Sequence, residues 1–141
     1  MPRRRCRYYV NTNFLVDLEG EKPEAVAFAR QRRGLCTSSV LLHEYRIAGK
    51  PPRAIRLARA YGIRIYKIPV LRLRRRARAL LLEWGIEEPS DNTVYDVAHI
   101  LAAKILGASY FVTADGAACR RAIRLGIPCI NHRTGEEYAP P

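Results

Sequence analysis

Short β-prone segments alternate with amphipathic ones along the whole chain, and glycine or proline stands at most of the joints. Residues 6–10, Leu35-Cys36-Thr37, residues 63–68, Tyr110-Phe111-Val112-Thr113 and Pro128-Cys129-Ile130 carry the aromatic and branched residues that suit strands. Helical patterns separate them. Parallel strands need a crossover between them, so this alternation predicts a parallel sheet covered by helices on both faces. The expected fold is a three-layer α/β/α arrangement with a central parallel sheet, formed as one domain over residues 1–141. There is no internal repeat and no inter-domain linker.

The helices are delimited by their end signals. After Asn11-Thr12-Asn13 a helix carries Phe14, Leu15 and Leu18 and ends at Gly20; Pro23 opens the next, which Gly34 stops. Ser38 or Ser39 is a good N-cap for a helix reaching about Ala48. Gly49-Lys50-Pro51-Pro52 breaks it, and a further helix over 53–61 is closed by Gly62. Leu73, Ala77, Leu80, Leu81 and Trp84 recur as one helical stripe. Residues 91–106 are almost continuously apolar, which predicts a central helix, with Asp91 read as its N-cap. Residues 116–125 form the last helix, closed by Gly126. The polar, Pro-ended tail over 131–141 is expected to be loose.

The net charge is +12, and Arg supplies 21 of the 25 basic residues. Guanidinium groups pair bidentately with phosphate and stack on bases, so a polyanionic partner, most simply RNA, is expected. Arg72, Arg74, Arg75, Arg76 and Arg78 crowd one helix and are the candidate RNA-binding residues. No apolar run approaches the roughly 18 to 20 residues of a membrane span. The expectation is a cytoplasmic protein with no membrane partner. Cys6, Cys36, Cys119 and Cys129 form no Cys-x-x-Cys pair, which argues against zinc. Buried thiols are the expected state in the cytosol, with disulfides the alternative in a hyperthermophile.

Ligands of open parallel sheets sit beyond the carboxyl ends of the strands. Asn11 follows the first strand directly, and Asp115 follows Thr113 after one residue. Two helical acids join them by context. Glu44 shares a helix face with Val40 and Ile47, and Asp96 lies early in the most apolar helix. A carboxylate on a buried stripe is costly unless something pairs with it. Crowded carboxylates repel, and Mg²⁺ or Mn²⁺, which take oxygen ligands, would relieve that repulsion. His43 and His99 stand near the two helical acids; His99 is read as a surface or hydrogen-bonded residue rather than a base. Asp17 lies too far along its helix to substitute for an acid at position 11.

Four segments together resemble PIN domains. Tyr8-Tyr9-Val10-Asn11-Thr12-Asn13-Phe14-Leu15 is similar to the family's opening strand and turn. Ser38 to Tyr45 is similar to the segment that carries its Glu, Asp96 to Ala103 to the Asp followed by an alanine-rich helix, and Gly107 to Asp115 to the segment ending Thr-x-Asp. The order and spacing extend over nearly the whole chain. The resemblance implies a PIN-like fold and a metal-dependent endoribonuclease of the VapC-like toxin class, with an antitoxin partner and a homodimer. It implies that Glu44, Asp96 and Asp115 are catalytic metal ligands. Thr113 and Thr12 or Asn13 would be supporting polar groups, and Mg²⁺ or Mn²⁺ the cofactor.

Asn11 departs from the pattern, which has Asp there. An amide oxygen can coordinate a cation but brings no charge. Two expectations result: a nuclease of reduced activity, or a degenerate module that binds RNA or protein without cutting. A nucleotide-binding α/β protein is the third class, without a phosphate-loop motif to support it.

Overall fold

The computed structural model describes residues 6–47 and 51–141. The strands are β1 (Tyr8–Val10), β2 (Leu35–Ser38), β3 (Arg64–Tyr66), β4 (Tyr110–Thr113), β5 (Cys129–Asn131) and β6 (Glu137–Tyr138). They form one sheet in the order β3-β2-β1-β4-β5-β6, parallel except for β6, which runs antiparallel to β5. The helices are α1 (Thr12–Glu19), α2 (Pro23–Gln31), α3 (Ser39–Ile47), α4 (Pro51–Ala60), α5 (Val70–Glu83), α6 (Asp91–Ile105) and α7 (Gly116–Arg124). The expected three-layer α/β/α architecture with a central, mostly parallel sheet is therefore present. Of the break expected over Gly49-Lys50-Pro51-Pro52, Gly49 and Lys50 lie outside the described residues, and Pro51 and Pro52 form the start of α4.

Side chains alternate across each strand, and this sorts the core into two layers. Tyr9, Cys36 and Phe111 point to one face and pack with α5, α6 and α7 through Leu73, Ala77, Leu81, Ala98 and Ala122. Val10, Leu35, Val112 and Ile130 point to the other and meet α1, α2 and α4 through Phe14, Leu15, Phe28 and Ala58. The stripe expected on α5 is the buried one. Helix α6 is buried along most of its length, from Val94 to Ala103 apart from Asp96.

Several end signals act as expected and two do not. Gly107 and Gly126 follow α6 and α7 with φ of 69° and 88°, a conformation that a Cβ disfavours. Gly20 also ends α1, but at φ −80°. The left-handed residue at that corner is Glu21, at φ 53°. The N-cap of α6 is Ser90, whose Oγ accepts from Thr93 N at 3.2 Å, rather than Asp91. Asp91 instead faces Arg74 and Arg78 at 4.0 and 3.9 Å.

The cysteines correct the expectation of free thiols. Cys6 is joined to Cys36 and Cys119 to Cys129, with Cα–Cα distances of 5.3 and 5.6 Å. The first disulfide ties the residues before β1 to β2. The second ties α7 to β5.

The tail is not loose. Beyond β5, His132 and Arg133 close on Asp17 of α1. His132 Nε2 lies 2.8 Å from Asp17 Oδ2, and Arg133 donates from Nε and Nη2 at 2.8 and 2.9 Å. Asp17 and His132 are both buried, whereas Arg133 reaches in from the surface. Asp17 is thus a structural anchor. Its carboxyl is held below the usual range, chiefly by the Arg133 hydrogen bond. Burial holds the His132 imidazole below its ordinary value. The depressed Asp17 contributes stability that is present above about pH 3.8 and lost as pH falls through its folded value. The depressed His132 acts in the same direction: the unfolded chain takes up a proton near pH 6.5 that the folded one resists, so stability falls below that pH. Asp96, whose value is raised, works in the opposite sense, so the clasp is read by difference. Asp17→Ala is expected to cost about 1–3 kcal/mol at pH 7, since it leaves the buried His132 Nε2 without its acceptor and removes the partner of Arg133. Denaturant melts of both proteins should converge on acidification; a constant gap down to pH 3 would contradict this account.

Candidate functional site

The strand order reverses between β1 and β4, which creates a crevice at their carboxyl ends. Val10 is level with Val112, so Asn11 and Thr113 leave the sheet side by side. Asn11 is buried, and its Nδ2 donates to Thr113 Oγ1 at 3.0 Å. Asn13 reaches the same hydroxyl, donating from Nδ2 at 3.0 Å, and its Oδ1 accepts from Ala114 N at 3.3 Å. Thr113 Oγ1 also accepts from Asp115 N at 3.1 Å. One threonine thus fixes the turn after β1 and the turn after β4 together.

Asp115 is the N-cap of α7. Its Oδ1 accepts from Ala117 N at 2.8 Å and from Ala118 N at 3.4 Å. The residue is exposed, and the cap leaves Oδ2 outside these bonds.

Glu44 comes from α3, which starts directly at the end of β2. Thr12 Oγ1 donates to Glu44 Oε1 in a short hydrogen bond. His99 Nε2 lies 2.6 Å from the same oxygen and 3.2 Å from Thr12 Oγ1. The other ring nitrogen, Nδ1, lies 2.6 Å from Tyr9 Oη, which is itself 2.7 Å from Ser38 Oγ. His99 is fully buried, not a surface residue; its hydrogen-bonded role is the expected one. His43, next to Glu44, turns away to Tyr95 Oη.

Asp96 lies one turn before His99 on α6. Its carboxyl is raised to about 6, chiefly by burial, with Asp115 and Glu44 adding to the rise and His99 and Arg121 opposing it. Asp96 therefore feels both other acids. The structure brings Asn11, Thr12, Asn13, Glu44, Asp96, Thr113 and Asp115 to one edge of the sheet.

Two observations bear on whether these residues suit a divalent cation. The side-chain oxygen of Asn11, Oδ1, is buried without a hydrogen-bond partner. The other acids supply hard oxygen donors, the kind that Mg²⁺ and Mn²⁺ take. Among the described residues, no three His, Cys, Asp or Glu side chains are gathered tightly enough to hold a metal ion as they stand.

Helix α5 starts beside the site. Ser39 Oγ donates to Ile68 O at 2.9 Å and accepts from Ile68 N at 3.0 Å, which docks the approach to α5 against the start of α3. The Arg74 guanidinium lies 4.9 Å from the Tyr95 ring, one residue from Asp96. Arg72, Arg75 and Arg76 are exposed. The basic run thus lies on the helix packed against α6, which carries Asp96.

Tyr9, Ser38 and the bridging position of His99 carry no distinct signal in the sequence. Tyr9 reads as a core aromatic in a strand. His99 reads as one residue in an apolar run, and only its i+3 spacing from Asp96 hints at the site. Among the described residues, no helix is long and apolar enough to cross a membrane. No protein-family model matches the sequence and no curated protein matches it, so the chemistry rests on these residues.

Proposed function

We propose that the chain is a metal-dependent endoribonuclease with a PIN-like site, whose activity is restrained by Asn11. The observation that carries this reading is the Asp96 carboxyl, largely buried and raised to about 6 beside Asp115 and Glu44 at a sheet switch point. A cluster of acids kept under mutual repulsion is a poor structural device and a good cation seat. Asp96, Asp115 and the unpartnered Asn11 oxygen, with Glu44 adjacent, would hold Mg²⁺ or Mn²⁺. When bound, the ion supplies Lewis acidity toward a phosphodiester and an activated water.

The residues themselves do the rest. Thr113 and Asn13 fix the two turns, and Thr12 and His99 fix Glu44. Arg72, Arg75 and Arg76 give the RNA backbone a cationic track beside the crevice, with Arg74 and Arg78 partly engaged by Asp91. Within this reading the work is cytoplasmic, where transcripts are, and the disulfides are those of a chain that keeps them there, as in hyperthermophiles. A second copy and an antitoxin protein complete the toxin reading, the antitoxin's acidic residues competing with RNA for the α5 arginines.

Asp96→Asn is expected to abolish cleavage of a single-stranded RNA while the far-UV spectrum and RNA binding persist. Retained cleavage would remove Asp96 from the mechanism. Replacing Arg72, Arg75 and Arg76 together by Ala should lower the slope of log binding constant against log salt by about 2, at roughly 0.7 per phosphate contact on a single strand. An unchanged slope would take α5 out of the RNA path.

Asn11 favours a second reading. Its amide brings no charge, so the module would bind RNA or a protein without cutting. Wild-type protein that binds RNA but shows no Mn²⁺-dependent cleavage would select it.

A further inference from the structure

The hydrogen bonds behind Glu44 have a direction. Glu44 Oε1 accepts from Thr12 and lies 2.6 Å from His99 Nε2. An ionised carboxylate can only accept, so Nε2 carries the proton on that side of the ring. On the other side, Nδ1 lies 2.6 Å from Tyr9 Oη. Tyr9 is fully buried, and its phenol hydroxyl is placed to donate to Nδ1. Ser38 Oγ, 2.7 Å beyond, then donates to Tyr9 and itself accepts from Val40 N at 3.3 Å. With Nδ1 unprotonated, every donor in this line points toward Glu44.

Tyr9, Ser38 and His99 occupy the layer between the sheet and α6, where Phe111, Val97 and Ile100 fill space without polar atoms. A buried polar line persists when it specifies one arrangement. Here it ends on Glu44, one of the two helical carboxylates at the crevice, and both of its final contacts fall on the same oxygen, Oε1.

We propose that Ser38, Tyr9 and His99 form a positioning relay that locks His99 as the Nε2–H tautomer and holds Glu44 by Oε1, leaving Oε2 to serve the acidic site. The proposal rests on the nuclease reading above. His99 is a positioning residue that acts through Glu44. The tautomer is set from behind by Tyr9, as the outer partner of a metal-site histidine or carboxylate commonly sets the geometry of the inner one.

Two measurements test it. Nitrogen-15 correlation spectra of the wild-type protein should show His99 protonated on Nε2 with Nδ1 unprotonated. In single-turnover and steady-state RNA cleavage with Mn²⁺, Tyr9→Phe and His99→Ala should lower kcat by about 10- to 100-fold with the RNA KM within about twofold. His99→Gln, whose amide can donate near the Nε2 position, should recover most of the loss, whereas a merely space-filling histidine would gain nothing from it. A wild type that cleaves while its ring carries the proton on Nδ1, or while His99→Ala cleaves equally well or changes only KM, overturns the relay alone. A wild type that neither binds Mn²⁺ nor cleaves RNA overturns the nuclease reading, and the relay's role with it.

Discussion

Asn11→Asp is expected to raise Mn²⁺-dependent RNA cleavage by about 10- to 100-fold, the scale on which well-placed groups around a metal change affinity or activity. The position is prepared for a carboxylate. Asn11 is buried at the end of β1, its Nδ2 donates to Thr113 Oγ1, and its Oδ1 has no partner. Aspartate has the same shape and would accept a hydrogen bond from the Thr113 hydroxyl in place of donating to it. The added charge has a cost that makes the prediction sharper. Burial already raises Asp96 to about 6, with Asp115 and Glu44 adding to it. A further carboxylate increases that repulsion, so the metal-free variant should melt below wild type. With Mn²⁺ the order should reverse, because each tenfold gain in affinity adds about 1.4 kcal/mol of stability at saturating ion. A variant that cleaves no better than wild type, and melts no differently with or without Mn²⁺, would place position 11 outside the metal's reach.

The second large effect is on stability. The Cys6–Cys36 disulfide spans 30 residues and Cys119–Cys129 spans 10. On the chain-entropy model, losing these cross-links costs about 3.6 and 2.7 kcal/mol respectively. Cys6→Ser with Cys36→Ser should therefore lower Tm by about 10 °C, and the second pair somewhat less. Both cross-links brace elements that carry the site, since β2 leads into α3 and Glu44, and α7 is capped by Asp115. Reduction with a phosphine before a thermal scan should give the same loss as the paired serines. A reduced protein with an unchanged Tm would contradict the cross-links' role.

Much of the architecture was readable because strand and helix periods differ and glycines punctuate the chain. Asn11, Thr113 and Asp115 were readable as site residues because parallel strands all deliver their C-terminal residues to one edge of the sheet. Glu44 and Asp96 were readable because a carboxylate in apolar surroundings needs an explanation. The features that stayed hidden depend on contacts between residues far apart in sequence. Tyr9 meets His99 across 90 residues, and Asp17 meets Arg133 across 116. Periodicity reports that a side chain is buried, not which groups it touches. The cysteine pairing was hidden for the same reason, since Cys6 and Cys36 become neighbours only through the pairing of β1 with β2. Strand β6 has two residues and so carries no pattern.

The central claim is that Asp96, Asp115, Glu44 and Asn11 form a cation-dependent site acting on RNA. Its most direct test is a Mn²⁺ titration of wild-type protein against a single-stranded RNA, followed by EDTA. The account predicts no cleavage in the metal-stripped protein, cleavage that rises and saturates with Mn²⁺, and its complete loss on chelation. Cleavage that is already full without metal and persists in EDTA would contradict it.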